Sequence, residues 1–268
     1  MLVALCGDKG APGVTTAALA LASAWPGPTV VVEASPSGGD LAIRLHPNGS
    51  VLPETPTVLS VVTASRSRSV DDPVATHAHA LNSTTAVVPG AVLVEQIANI
   101  GDWSPLTEAL GRTQATVFAD LGHLHAASPV LSMAARAEVV VVVSRPDLPS
   151  VVRMRERLTR LAIDLARLRS TSPRLFPLLI SLRRHAAGDV ADLRAVLADT
   201  AVKPFLADVG FLAHDPAAVR RLEAGDEPTG RLSRTDLMRS AAAVANQLER
   251  VTASPTEAAA APALRGRP

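Results

Sequence analysis

The stretch GDKGAPGVTT, residues 7–16, follows the short apolar run LVALC and precedes a segment rich in Ala and Leu. A strand that ends in a glycine-rich turn and opens a helix points several backbone N–H groups at one place, together with the positive end of the helix dipole. Gly10 and Gly13 permit the backbone conformations that such a turn needs. These residues alone predict either a phosphate-binding loop or a tight strand-to-helix turn with Thr15 as the helix cap.

Short β-branched runs alternate with longer helical segments along the rest of the chain. Several of the runs are apolar on both faces, which is typical of parallel strands covered by helices on each side. We therefore predict an α/β fold with a doubly wound, mostly parallel β-sheet and helices on both faces. The predicted strands are 2–6, 29–34, 85–90, 115–122, 138–145, 175–181 and 203–212. The predicted helices are 15–24, 58–65, 91–110, 149–169, 190–200 and 234–251.

Two segments depart from this alternation. Residues 46–84 are rich in Pro, Ser, Thr and Asp, and they predict an irregular surface insertion around one short helix. Residues 253–268, ASPTEAAAAPALRGRP, are of low complexity and predict a disordered tail. The remainder, residues 1–252, shows no internal boundary and is expected to form one domain.

Composition excludes several classes of protein. The formal net charge of +1 over 268 residues gives no global attraction to DNA or acidic lipid. The single cysteine, Cys6, excludes an internal disulfide and a site made of several thiolates, which fits a reducing compartment. The sequence shows no signal-peptide pattern and no apolar stretch of the ~18–20 residues that a bilayer span requires. We therefore expect a cytoplasmic protein.

Four later stretches strengthen the phosphate-loop interpretation. They are VVVEASPSGGDLA at the second strand, ATVFADLG at the fourth, EVVVVVSRPDLPSVVRMRERL, and VGFLAHDPAAVRRLEAG near the end. Together with the opening loop, and in this order, they resemble the motifs of the ParA/MinD superfamily, the P-loop ATPases with a deviant Walker A box. The resemblance extends over residues 1–250 and implies the P-loop NTPase fold, with ATP and Mg²⁺ as cofactors.

The resemblance also implies a set of site residues. The loop positions that would bind the nucleotide are Lys9, Gly10, Ala11, Gly13, Val14, Thr15 and Thr16. Thr15 and Asp120, which ends the strand similar to a Walker B strand, would hold Mg²⁺. Lys9 matches the lysine that acts in trans on the nucleotide of a partner subunit, which implies a homodimer.

Four departures from the family pattern weaken the expected chemistry. Val14 replaces the lysine that contacts the β- and γ-phosphates, and Ser35 replaces the aspartate implied to orient the attacking water. Asp8 brings a carboxylate that would repel phosphate, and Pro12 removes one backbone N–H from the loop. We therefore expect a degenerate site with weak or absent ATP hydrolysis, in which no catalytic residue is assigned apart from Lys9.

The finer similarity, carried by TTAVVPGAVLVEQI, is to the CpaE/TadZ-type proteins that position pilus and secretion machinery. It implies a localisation or assembly factor that works through dimerisation or docking to a pilus, secretion or cell-division partner. Two alternatives stay open. One is an active ParA-type partitioning ATPase that binds DNA non-specifically through the arginines of helix 149–169. The other is a structural pseudo-ATPase without a ligand.

Overall fold

The computed structural model describes residues 1–8, 13–68 and 70–253. Eight strands in these ranges form a single sheet in the order β3-β4-β2-β5-β1-β6-β7-β8. Every neighbouring pair is parallel except β3 and β4. The strands are β1 (Leu2–Gly7), β2 (Thr29–Glu33), β3 (His79–Ala80), β4 (Thr85–Val88), β5 (Thr116–His123), β6 (Val139–Ser144), β7 (Leu175–Ser181) and β8 (Gly210–Ala213). The predicted doubly wound, mostly parallel sheet is confirmed.

Helices cover both faces of the sheet, and the strands between them are buried on both sides. The helices are α1 (Val14–Ala24), α2 (Leu41–Arg44), α3 (Val58–Ser67), α4 (Pro73–Thr76), α5 (Val94–Ala98), α6 (Ser104–Arg112), α7 (Leu131–Arg136), α8 (Leu148–Leu168), α9 (Ala186–Ala198), α10 (Pro216–Glu223) and α11 (Asp236–Ala253). One apolar cluster joins the sheet to α3, α6, α7, α8 and α9. The other joins it to α1, α10 and α11.

The segment 46–84 is not the surface insertion that its composition predicts. Helix α3 packs against α6, and Val58, Val61 and Val74 are fully buried in the first apolar cluster. The short strand β3 then pairs antiparallel with β4 and ends the sheet on that side. The polar residues of the segment cap its short helices, as Asp72 does for α4. The helix predicted at 58–65 is present as α3, whereas composition concealed α4 and β3, which have only four and two residues.

Other boundaries also differ from the prediction. The helix predicted at 91–110 is two helices, α5 and α6, with Gly101 between them in the left-handed region at a φ of 63°. The strand predicted at 203–212 is shorter, since Lys203–Phe205 form a 3-10 turn and β8 starts at Gly210. Periodicity also missed α2, α4, α7 and α10, which have eight residues or fewer and are too short for a clear period.

The predicted tail falls almost entirely on residues 254–268, which lie outside the described residues. The last described helix, α11, extends to Ala253, two residues beyond the predicted helix end. None of the helices in the described ranges combines the length and apolar character that crossing a membrane needs.

Candidate functional site

The candidate site lies where the carboxyl ends of three neighbouring strands meet. Strand β5 lies between β2 and β1 in the sheet, although β1 comes first in the chain. The parallel pairing places Glu33 of β2 opposite Asp120 of β5, and Leu5 of β1 opposite the same aspartate. In open α/β sheets, ligands bind at the carboxyl ends of strands where the strand order reverses. The loops after β1, β2 and β5 therefore converge on one place.

Gly13 forms the turn from the loop into α1. Its φ of 87° lies in the left-handed region, and its carbonyl accepts the first helical bond, from the N–H of Ala17 at 2.9 Å. A Cβ at this position would also lie 2.8 Å from Cδ1 of Ile180 on β7. The backbone conformation therefore requires glycine, as the opening loop of the sequence indicated, and a Cβ would in addition displace the tip of the Ile180 side chain.

Thr15 and Asp120 come together at the start of α1. The Thr15 hydroxyl donates to Oδ2 of Asp120 at 2.5 Å, and the N–H of Gly122 donates to Oδ1 at 2.9 Å. Asp120 is only 2% exposed, and burial raises the pKa of its carboxyl, while these two hydrogen bonds and the charge of Arg44 lower it. The structure thus places the two residues predicted for Mg²⁺ side by side, with the oxygen ligands that this ion prefers.

Glu33 organises the loop after β2. Its buried carboxylate accepts hydrogen bonds from the backbone N–H groups of Asp40 at 2.9 Å, Leu41 at 3.2 Å and Gly90 at 2.8 Å. Burial raises the pKa of Glu33 to about 6, with a smaller contribution from Asp120, and the three backbone bonds oppose the rise. The carboxylate leaves no room for a side chain on Gly39, where a Cβ would lie 2.0 Å from Oε2. Through these backbone hydrogen bonds Glu33 therefore fixes the position of the 35–40 loop.

Ser35 occupies the position that the family resemblance assigns to water activation. Its Oγ accepts a bond from the N–H of Ser37 at 3.2 Å, and its carbonyl accepts from Gly38. A Cβ on Gly122 would lie 2.6 Å from the same Oγ, so Ser35 sits against the end of β5. The hydroxyl shapes the turn, and serine is no effective base at neutral pH.

Asp8 contacts two arginines and a histidine rather than being directed alone at the loop. Its carboxylate accepts a bond from Arg157 at 3.0 Å, with Arg153 at 3.9 Å and His123 at 3.3 Å. The two arginines lie four residues apart on α8 and therefore on one face of that helix. The repulsion expected from Asp8 is accordingly reduced by charge pairing, which the sequence did not indicate because Arg157 lies 149 residues further along the chain.

Three of the predicted loop residues, Lys9, Gly10 and Ala11, lie outside the described residues. Val14 is buried in the second apolar cluster, so its side chain adds packing at the helix start and no polar group. Thr16 lies one residue further along α1, and its Oγ1 accepts a bond from Nη2 of Arg44 at 3.2 Å. Arg44 is absent from the predicted set, because it lies two residues beyond the stretch VVVEASPSGGDLA and belongs to no quoted motif.

The sheet order, the loop-to-helix turn at Gly13 and the pairing of Thr15 with Asp120 define the class: an α/β protein with the P-loop NTPase fold. No protein-family model and no curated protein sequence matches the chain significantly. Solved structures match it over nearly their whole length, at identities that show the shared fold alone.

Three of these structures illustrate the likeness. A ParA family ATPase from Chlorobium tepidum has a TM-score of 0.70 at 15% identity and covers 91% of this chain and 98% of its own. The ATP complex of a Cyanothece McdA variant has a TM-score of 0.65 at 16% identity, over 92% and 96%. The MinC–MinD cell division complex of Aquifex aeolicus has a TM-score of 0.61 at 13% identity, over 93% and 96%. The chain thus shares the fold of the ParA/MinD ATPases.

Proposed function

We propose that this protein is a degenerate member of the ParA/MinD superfamily that acts as a localisation or assembly factor. In this proposal it binds ATP with Mg²⁺ weakly and hydrolyses it slowly or not at all. Nucleotide would modulate dimerisation or the docking of a partner through the face that carries the loop after β1. The partner would belong to a pilus or secretion system, as in CpaE/TadZ-type proteins, or to the division machinery.

The pairing of Thr15 with Asp120 is the observation that carries the proposal. A hydroxyl at the start of α1 and a buried carboxylate in the second half of β5 form an oxygen pair suited to Mg²⁺, beside the backbone N–H groups of a helix start. When bound, the metal would neutralise charge on the nucleotide phosphates. Thr15 and Asp120 would hold the ion, and Thr16 would contact a phosphate.

In this proposal, the residues at two other positions, Val14 and Ser35, account for slow or absent ATP hydrolysis. Val14 supplies no donor to the β- and γ-phosphates, and losing one such charge-assisted contact costs on the order of 2–4 kcal/mol. Ser35 is held in a turn by its hydrogen bond to Ser37 and provides no base for water. The site retains the means to position Mg²⁺ and lacks two groups that would speed the chemical step.

The ion pairs on α8 favour a protein partner over DNA. Two of the arginines on this helix, Arg153 and Arg157, face Asp8, and Arg155 pairs with Glu156 at 3.2 Å. The helix buries its apolar face against the sheet, with Met154 among the buried residues. Arginines engaged in ion pairs contribute less to non-specific phosphate binding, and that binding would be strongly dependent on salt.

Titration of the purified protein with a fluorescent ATP analogue and Mg²⁺, with its mass followed by light scattering, tests the proposal. We expect saturable, Mg²⁺-dependent binding and a nucleotide-dependent shift from monomer to dimer. No binding at millimolar nucleotide would contradict the nucleotide part and leave the structural pseudo-ATPase. Rapid release of phosphate together with salt-sensitive DNA binding would support the partitioning ATPase instead.

A double variant tests the reason given for slow hydrolysis. Val14→Lys with Ser35→Asp restores the two groups that the family pattern contains at these positions. We expect the double variant to release phosphate from ATP measurably faster than the parent, because both changes add a group that acts in the chemical step. A double variant that folds, binds nucleotide and still releases no phosphate would show that these two positions do not explain the loss.

A further inference from the structure

Arg44 places a positive charge at the opening of α1. It is the last residue of α2, and its Nη2 donates to Oγ1 of Thr16 at 3.2 Å. Thr16 directly follows Thr15, whose hydroxyl bonds Asp120. The guanidinium therefore lies beside the predicted phosphate position. It is carried by α2, which follows β2, and not by the loop after β1.

A cation at this place is electrostatically unusual. The start of a helix carries the positive end of the helix dipole, which disfavours a nearby cation and favours an anion. The ligand-free protein provides an anion of its own: Oε1 of Glu223 accepts from Nε of Arg44 at 2.9 Å and from Nη2 at 2.6 Å. The two side chains are 31% and 16% exposed, so the pair is accessible to a ligand from solvent.

The guanidinium also retains capacity for a further acceptor. Arginine has five N–H donors in a planar fork, which suits phosphate oxygens. Glu223 and Thr16 engage Nε and Nη2, and within the part of the chain that the structure describes Nη1 makes no hydrogen bond.

The geometry points to Arg44 as the residue that contacts the nucleotide phosphates in place of the lysine missing at position 14. Glu223 serves as its counter-ion while no nucleotide is bound, and the phosphates replace that carboxylate on binding. This inference rests on the proposed nucleotide binding and adds to it the residue that supplies the positive charge. Arginine fits the role because it stays charged and can donate two parallel bonds to one phosphate.

Nucleotide affinity of variants at both partners of the ion pair tests the inference. Arg44→Gln should weaken binding of the fluorescent ATP analogue with Mg²⁺ by about 10- to 100-fold, the range for a hydrogen bond to a charged group. Arg44→Lys should lose less, since the charge remains. Glu223→Gln should keep the affinity or tighten it by up to about fivefold, because it removes only a competing carboxylate.

The ion pair of Arg112 with Glu108 on α6 provides a matched control. Nη1 of Arg112 and Oε2 of Glu108 are 4.0 Å apart. The pair lies at the end of α6 that leads into the amino end of β5, whereas the site lies at the carboxyl ends of the strands. Arg112→Gln and Glu108→Gln make the same changes of charge, and we expect both to leave affinity unchanged. The thermal unfolding of each variant without nucleotide gives a second readout, because it measures what each change costs the fold apart from any contact with nucleotide.

Weaker nucleotide affinity of Arg44→Gln, beside unchanged or tighter affinity of Glu223→Gln, would establish the role of Arg44. Affinity of Arg44→Gln equal to that of the parent would overturn the inference and leave nucleotide binding intact. Equal weakening by Arg44→Gln and Glu223→Gln would show that the pair is only structural, which also overturns it. Should Arg44→Gln fail to fold, Arg44→Lys and Glu223→Gln decide by the same comparison. If the parent protein binds no nucleotide, the proposed function fails and this inference with it.

Discussion

Gly39→Ala should destabilise the protein strongly, because it forces a buried carboxylate out of its place. The added Cβ would lie 2.0 Å from Oε2 of Glu33 and 2.2 Å from its Cδ. The three atoms nearest to that Cβ all belong to Glu33. The carboxylate therefore has to move, and in moving it gives up bonds from the backbone N–H groups of Asp40, Leu41 and Gly90.

The magnitude follows from those three donors. Asp40 is exposed and its N–H finds water, whereas the bonds from Leu41 and Gly90 to Glu33 are buried. A buried donor left without an acceptor costs about 1–3 kcal/mol, so for two donors we expect a loss of about 2–6 kcal/mol in the free energy of unfolding. In a chain of this size that lowers the unfolding temperature by roughly 5–25 °C.

A double-mutant cycle with Glu33→Ala isolates the cause. Glu33→Ala removes the three atoms nearest to the new Cβ, so Gly39→Ala should cost less than about 0.5 kcal/mol in that background. Urea unfolding followed by the fluorescence of the buried Trp25 and Trp103 measures each step. Gly111→Ala, in the open exposed end of α6, is the control, and it should stabilise by about 0.5–1 kcal/mol. Additive effects of the changes at 33 and 39 would refute the argument.

Three further predictions concern single groups. Thr15→Ala should lower the free energy of unfolding at pH 7 by about 1–2 kcal/mol, because it removes a hydrogen bond to the buried Asp120 carboxylate. Urea unfolding measures the loss, and an unchanged free energy would show that the bond contributes nothing. Since the pKa of Glu33 is raised to about 6 in the folded state, the protein binds a proton there more tightly than the unfolded chain does, so stability should fall by about 2 kcal/mol as pH rises from about 4.5 to about 6. Unfolding curves of the parent and of Glu33→Ala at several pH values test this, and identical pH dependence would contradict it. Burial raises the pKa of Cys6 to about 12, so a thiol reagent at pH 8 should label it only after unfolding in urea, and rapid labelling of the native protein would be the opposite result.

The sequence by itself determined the architecture, because long apolar strands and the glycine-rich turn are local signals. Runs such as VVVVV of β6 are buried on both faces wherever they pair, so their pattern predicts a covered parallel sheet without knowledge of the neighbours. The requirement for glycine at Gly13 follows in the same way from the turn between β1 and α1. The meeting of Thr15 with Asp120 was implied by the resemblance of their two stretches to the ParA/MinD motifs.

Only the tertiary structure decided which charged side chains meet at the carboxyl ends of the strands. Arg44 and Glu223 are 179 residues apart, and Asp8 and Arg157 are 149 apart, so no local pattern links either pair. Their pairing depends on the strand order, which brings the loops after β1, β2 and β5 together and packs α8 and α10 beside them. A four-residue helix such as α2 is too short to show a period that would reveal its position. Electrostatic interactions depend on distance in space rather than on separation along the chain.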